Sequence, residues 1–299
     1  MFSMNRFFLL FATIFSATAL PTMAAEGHDH LPASAEVLFE FGWFKFTNST
    51  LMMLIVSVFL IVVAQLGTRK ISLVPSKLQN FVEWILESLI SFLSGVMGEA
   101  LAKRTFWFFG TLFIIILFSN WMGLIPGVGT VGFFNVTPDG DPYPGDSFTP
   151  LLRGANADLN MTCAMAVAFA LLWFYWAITE TSVKDFFAHI FAPKGKFQGV
   201  MLAGMILIFA FVGIIEVASI AFRPVALMFR LYGNVYAGEN MLESIMNLVP
   251  LDALKWLAAL PFYFLELLVG LIQALVFTLL CAVFLRLICE HEHDDEHAH

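Results

Sequence analysis

The sequence predicts an all-α polytopic membrane protein with about five membrane helices, and three observations lead to this fold class. Of the 299 residues, 60% are hydrophobic and 13% are charged, whereas soluble domains are about 45–50% apolar and about 25% charged. Three apolar runs have the length of a single membrane crossing, and two further runs are much longer. The net charge is −8 and no large basic patch is present, so a nucleic-acid partner is not expected.

Residues 1–25 have the pattern of a signal peptide. One basic residue, Arg6, precedes an apolar core, and small residues close the segment at Ala24 and Ala25. This pattern is typical of a cleaved export signal, with an uncleaved first helix as the alternative. We expect residues 26–48 to form an extracytoplasmic N-terminal segment.

The apolar runs predict the membrane domain at residues 49–289. Single spans are predicted at about 49–67, 105–123 and 161–179, because about 20 helical residues cross the hydrocarbon core. The two longer runs, 199–249 and 255–289, would be roughly 75 Å and 50 Å long as helices. We therefore expect them to form a strongly tilted helical hairpin.

The segment between the first two spans, residues 76–104, has a different pattern. Polar residues such as Glu83 and Glu87 recur every three or four positions, and apolar residues such as Phe81 and Leu89 fall on the other side. This periodicity predicts an amphipathic interfacial helix, with a shallow re-entrant hairpin as the alternative.

The distribution of basic residues predicts the orientation of the chain. Lys and Arg concentrate in the connections after the first and third spans, while the loop 123–160 is rich in Asp. Because positively charged loops stay on the cytoplasmic side, we expect the N-terminus outside and the C-terminus inside. The acidic, His-rich tail 290–299 lacks a fixed zinc spacing, so no metal site and no cofactor are expected.

Charged residues interrupt the two long apolar runs. Glu216, Arg223 and Arg230 are spaced by seven residues, which is almost two helical turns, and Glu266 and Gln273 repeat this spacing. A charge at the bilayer centre costs about 2.5–3.5 kcal/mol on insertion scales. The pattern therefore indicates an ion pathway, a proton relay or a buried ion-pair scaffold.

The two arginines differ in their surroundings. Arg223 could extend to a lipid headgroup, whereas Arg230 lies between the apolar stretches VALMF and LYGNVYAG. Arg230 could pair with Glu216 or Glu239, although Glu239 lies about half a turn round the helix from Arg230. A functional role is therefore expected for Arg230.

The stretch RPVALMFRLYGNVYAGE, residues 223–239, resembles the signature of the subunit a family of F-type ATP synthases. Three further segments resemble this family in the same order: FSNWMGLIP (118–126), NADLNMT (156–162) and LIQALVF (271–277). The resemblance covers about residues 49–288. It implies a stator subunit of the membrane Fo motor. The export-type signal at the N-terminus indicates a bacterial plasma (inner) membrane, with an organelle as the alternative. The implied partners are the c-subunit ring, the b-subunit peripheral stalk, the rest of the synthase and membrane lipid.

The resemblance also implies roles for individual residues in proton translocation. Arg230 matches the arginine that faces the ring and interacts with each passing c-subunit carboxylate, and Asn234 and Gln273 match polar groups near it. An arginine stays protonated under essentially all conditions. It can therefore act as an electrostatic gate but not as a proton relay.

The remaining matched positions belong to the two half-channels. Glu216 matches an acidic residue on the cytoplasmic access path, and Arg223 matches a commonly basic position that could support it. Glu239 and Glu266 match the polar pair of the outer half-channel. Some relatives have His where this chain has Glu266, so here the pair consists of two carboxylates.

Two other classes of protein are alternatives. A self-contained secondary ion transporter predicts an internal repeat, and the sequence shows no convincing one. A membrane-embedded enzyme predicts metal ligands within the membrane, whereas six of the seven histidines lie in the tails. No phosphate-binding glycine loop is evident. We therefore expect a non-catalytic subunit.

Overall fold

The computed structural model describes residues 35–42, 44–69, 71, 75–129, 131–134, 148–180, 200–250 and 252–289. The expected signal peptide, the His-rich tail, the centre of the Asp-rich loop and most of the Lys-rich connection after the third span lie outside these residues. Their assignments therefore stay predictions.

Six helices dominate the described residues: α1 (Asn48–Thr68), α2 (Lys77–Met97), α3 (Glu99–Gly123), α4 (Leu159–Glu180), α5 (Val200–Leu248) and α6 (Asp252–Cys289). All six contain a stretch long and apolar enough to cross a membrane. The predicted all-α polytopic class is confirmed. The count rises from about five to six because the amphipathic α2 also meets the length and hydropathy of a span.

The segment expected to form the amphipathic helix is divided between two helices. α2 ends at Met97, and Gly98 adopts φ +81° before α3 begins at Glu99. Glycine favours this left-handed conformation because it has no Cβ. On α2, Leu89 is buried as the periodicity predicts, whereas Phe81 is 52% exposed.

α5 and α6 form the expected C-terminal hairpin of long helices. They contain 49 and 38 residues, or about 73 Å and 57 Å of helix at 1.5 Å per residue. The two helices pack against each other, and α6 also packs on α2, α3 and α4. The predicted hairpin is confirmed, while its tilt relative to a bilayer stays a prediction.

The core is centred on α3. Phe108, Phe109 and Ile116 of this helix are fully buried, and Trp176 of α4 stacks on Phe109 with ring centroids 6.0 Å apart. α5 differs because it leaves large apolar side chains exposed along much of its length. They include Phe211, Ile215, Phe222 and Phe229. One face of α5 therefore lacks packing within the described residues.

Short strands, which the sequence analysis did not predict, lie at the end of the bundle where α1 and α4 begin. They are β1 (Val37–Phe41), β2 (Phe44–Thr47), β3 (Pro126–Gly129), β4 (Gly132–Phe134) and β5 (Phe148–Pro150), with β1 paired to β2 and β4 to β5. We call this the hairpin end of the bundle. Asn48 Nδ2 donates to the Pro150 carbonyl over 3.1 Å, which ties α1 to β5.

A short buried 3₁₀ helix, Ala155–Ala157, connects β5 to α4. Asp158 follows it in extended conformation, and its Oδ1 accepts a hydrogen bond from the Asn160 backbone N–H over 3.0 Å. This is the geometry of a helix N-cap. The connection therefore lies inside the bundle, beside α5.

Candidate functional site

Arg230 is exposed on α5. Among the residues that the structure describes, it makes no hydrogen bond and no ion pair. Neither Glu216 nor Glu239, the two partners considered from the sequence, contacts it. The guanidinium is therefore available to a group from outside the described chain.

Arg223 pairs with Glu216 instead. Its Nη2 lies 3.3 Å from Glu216 Oε1, and its guanidinium lies 4.7 Å from the centroid of the Phe284 ring on α6. The pair agrees with the seven-residue spacing, which places both side chains on one face of α5. Half of the Glu216 side chain stays exposed.

Asn234 and Gln273 join α5 to α6. Asn234 Nδ2 donates to Gln273 Oε1 over 2.8 Å. Gln273 is only 4% exposed, and its Nε2 has no hydrogen-bond partner among the described residues. Both residues line a cavity of about 10 Å³, which Glu239 and Glu266 also line. A cavity of this size has room for about one water molecule.

Glu239 and Glu266, the carboxylate pair, lie against glycine backbone. A Cβ atom added to Gly238 would overlap the Glu266 carboxyl group, and one added to Gly154 would overlap Glu239 Oε1. The two helices can therefore present both carboxylates to one cavity only because these positions lack side chains. The close approach of the Glu266 carboxyl group therefore explains why the AGE motif, residues 237–239, has a glycine at its centre.

Arg153 is a site residue that the sequence analysis did not select. It precedes the connection to α4, is 5% exposed, and its Nε lies 3.8 Å from Glu239 Oε2. Glu36 and Asp158 also lie within its electrostatic range. In the sequence Arg153 appears only as a single basic residue in an acidic loop, and nothing in the spacing indicates the contact with α5.

Two asparagines in the segments that carried the resemblance fix the helices around the cavity. Asn156 Nδ2 donates to Asn120 Oδ1 over 2.7 Å, and Asn120 Nδ2 donates to the Gly270 carbonyl over 3.1 Å. Trp121 Nε1 adds a 3.0 Å hydrogen bond to the Leu267 carbonyl. These bonds hold the end of α3 against α6, one turn from Glu266.

No group of three or more His, Cys, Asp or Glu side chains in the described part of the chain is placed to hold a metal ion. All seven histidines lie outside that part. The expectation of no metal site in the tails therefore stays untested.

The fold and these side chains define a polytopic helical membrane protein whose C-terminal hairpin carries several ionisable groups. Comparison with known proteins gives the family. The family model described as ATP synthase A chain matches residues 50–286. The chain therefore belongs to the ATP synthase A chain family.

Individual relatives agree with this assignment. An ATP synthase subunit a from Gloeobacter violaceus is 32% identical over 243 residues, which cover 81% of this chain and 83% of the relative. One from Campylobacter concisus is 28% identical over 80% of this chain and 89% of the relative. One from Protochlamydia amoebophila is 29% identical over 84% of each chain.

Proposed function

We propose that the chain is the ion-translocating stator subunit of the Fo motor of an F-type ATP synthase. It provides two half-channels for protons to and from the c-subunit ring, with Arg230 as the electrostatic gate, and it is not catalytic by itself. The observation that carries the proposal is the exposed Arg230, which has no partner among the described residues. Membership of the ATP synthase A chain family supports it.

The gate acts through the permanent charge of Arg230. A guanidinium cannot deliver a proton, because it stays protonated, but it attracts an ionised carboxylate and favours release of that group's proton. Each c-subunit carboxyl that passes Arg230 therefore loses its proton to one half-channel. The same positive charge repels protons and prevents a direct leak between the half-channels.

The two half-channels lie on opposite sides of Arg230 along α5. Glu216 is fourteen residues before Arg230, about 21 Å along the helix, and Glu239 is nine residues after it, about 14 Å. Glu216, supported by Arg223, belongs to the cytoplasmic half-channel. Glu239 and Glu266 belong to the outer half-channel, which Asn234 and Gln273 extend towards the gate.

The exposed apolar face of α5 is the surface proposed for the ring. Phe222 is 67% exposed and Phe229 is 54% exposed, and both flank the arginines of the motif. A ring of apolar helices with a buried carboxyl would cover these side chains and bring its carboxyl to Arg230. The b-subunit peripheral stalk and the rest of the synthase are the further partners proposed.

The proposed location is a bacterial plasma (inner) membrane, with the N-terminus outside and the C-terminus in the cytoplasm. Arg69 directly follows α1, and Lys103 and Arg104 lie in the first turns of α3. All three are exposed at the end of the bundle opposite the hairpin end. Because basic residues stay on the cytoplasmic side, the hairpin end with its carboxylate pair faces outward.

A self-contained secondary ion transporter is the alternative. Such a protein encloses its site within its own helices, near the midplane. The exposure of Arg230 on α5 favours the stator, because this residue needs a partner that the described chain does not supply.

Purification separates the two functions. The tagged chain, extracted in mild detergent, is expected to copurify with a ring of small hairpin proteins. Liposomes that contain the isolated chain alone should show no ion transport. Ion transport by the purified monomer would contradict the stator assignment.

A further inference from the structure

The buried Arg153 is the centre of a charge cluster at the hairpin end of the bundle. Three carboxyl groups lie within its electrostatic range, and each comes from a different segment. Glu36 precedes β1, Asp158 precedes α4, and Glu239 is on α5. A guanidinium that is 5% exposed loses most of its hydration, so its burial requires compensation by such partners.

One positive charge cannot balance three carboxylates, of which Asp158 is buried and Glu36 and Glu239 are partly buried. Burial raises the pKa of Glu36 and the pKa of Asp158, although Arg153 opposes both shifts. Asp158 has a structural role as well, because it caps α4. The partner of Arg153 that lies on the proposed proton path is Glu239.

The segment around Arg153 contacts the Glu239 carboxyl group twice. The Arg153 guanidinium lies 3.8 Å from Oε2. The backbone of Gly154 lies so close to Oε1 that a Cβ there would overlap it, and the Gly154 backbone hydrogen-bonds this carboxyl group. The loop therefore fixes the direction in which Glu239 points. On its other side the carboxyl group lines the small cavity shared with Glu266.

We propose that Arg153 is a positioning residue for proton translocation, which holds the Glu239 carboxyl group between the Gly154 backbone and the cavity shared with Glu266. The inference rests on the proposed function, since it assigns Glu239 to the outer half-channel. Arg153 does not touch the translocated proton and acts through Glu239.

Loss of Arg153 has two expected consequences. The carboxyl group is released from the loop, and misplacement of a reacting group by about 1 Å can lower a rate about 100-fold. The attraction that favours an ionised Glu239 also disappears. Among the described residues, the other charged or titratable groups that face Glu239 are Glu266, Glu243 and Tyr232, and none of these three supplies a replacement positive charge.

The test is passive proton conduction, measured against pH, in membrane vesicles. The vesicles contain the assembled synthase, from which the soluble sector has then been removed. Arg153→Gln is expected to lower conduction about tenfold or more. It should also move the alkaline limb of the profile to higher pH by about one unit or more. Arg153→Lys, which keeps the charge, should keep the alkaline limb of the unaltered complex.

Lys45→Gln is the matched control at the same end of the bundle. Lys45 lies on β2, is 61% exposed and pairs at 3.5 Å with the equally exposed Glu40. Its loss removes the same charge but no contact with Glu239. This variant should conduct as the unaltered complex does.

Several outcomes would overturn the inference. Arg153→Gln with an unshifted alkaline limb would show that the residue is only structural, whether or not conduction falls. If Arg153→Gln does not assemble, Arg153→Lys decides, and a limb shifted to higher pH in that variant contradicts the inference. Normal ATP-driven pumping by Arg230→Ala together with unchanged conduction by Glu239→Gln would refute the proposed function itself. Loss of pumping in Arg230→Ala and of conduction in Glu239→Gln, with an unaltered profile for Arg153→Gln, refutes only the role of Arg153.

Discussion

Replacement of Gly238 by Ala tests the packing of the carboxylate pair. The new Cβ would lie 2.5 Å from Glu266 Oε2 and closer still to Oε1, whereas ordinary contact begins at 3.4 Å. The Glu266 carboxyl group must therefore move by about 1 Å or more, which is enough to lower a rate up to about 100-fold. Because this group is the far end of a flexible side chain, the free energy of unfolding should change by less than about 1 kcal/mol.

The assay is proton conduction through the assembled complex, together with its thermal stability. We expect Gly238→Ala to lower conduction about 10- to 100-fold with little change in Tm. Gly204→Ala is the matched control, because this glycine is on the same helix and a Cβ there meets nothing within 4 Å. Glu266→Asp, combined with Gly238→Ala, shortens the displaced side chain and should restore part of the conduction. Normal conduction by Gly238→Ala alone would refute the claim that the position of Glu266 matters.

Three further predictions concern stability and the link between the two long helices. Asn156→Ala should lower the free energy of unfolding by about 1–3 kcal/mol, because it leaves the buried Asn120 Oδ1 without its donor. The control is Asn80→Ala, at an exposed position of α2, which should change Tm little. Glu36→Gln should stabilise the complex in mildly alkaline solution but not in acid. Because folding raises the pKa of Glu36, the contribution of this side chain to stability is present at low pH and is lost as pH rises through that pKa. A Tm difference between Glu36→Gln and the unaltered complex that is largest in acid would contradict this sign. Asn234→Leu should destabilise more than the double variant with Gln273→Leu, because the single change leaves buried Gln273 Oε1 unpaired; equal Tm values would contradict it.

Most of the fold could be predicted from the sequence because one physical constraint dominates it. Apolar length and hydrophobic periodicity locate the spans, and α5 and α6 begin and end within a few residues of the predicted runs. The division at Gly98 was missed, because the helical periodicity continues through the glycine while its backbone does not. The short strands were missed because their pairing depends on contacts across a loop.

The residues of the candidate site were easier to identify than their contacts. Glu216, Arg223, Glu239 and Glu266 stand out because charge within an apolar run is costly. Arg153 does not stand out, since a single arginine in a polar loop is ordinary. Its burial depends on the 3₁₀ connection that places it against α5, and only tertiary structure shows this.

Arg230→Ala tests the central claim most directly. ATP-driven proton pumping would be measured in inverted membrane vesicles, together with the amount of assembled complex. Arg69→Ala is the control, because Arg69 is an exposed arginine outside the hairpin of α5 and α6. If Arg230 is the electrostatic gate, the assembled Arg230→Ala complex should lose pumping and the Arg69→Ala control should pump normally. If that variant does not assemble, Arg230→Lys takes its place in the same comparison. Normal pumping with Arg230 replaced would contradict the account.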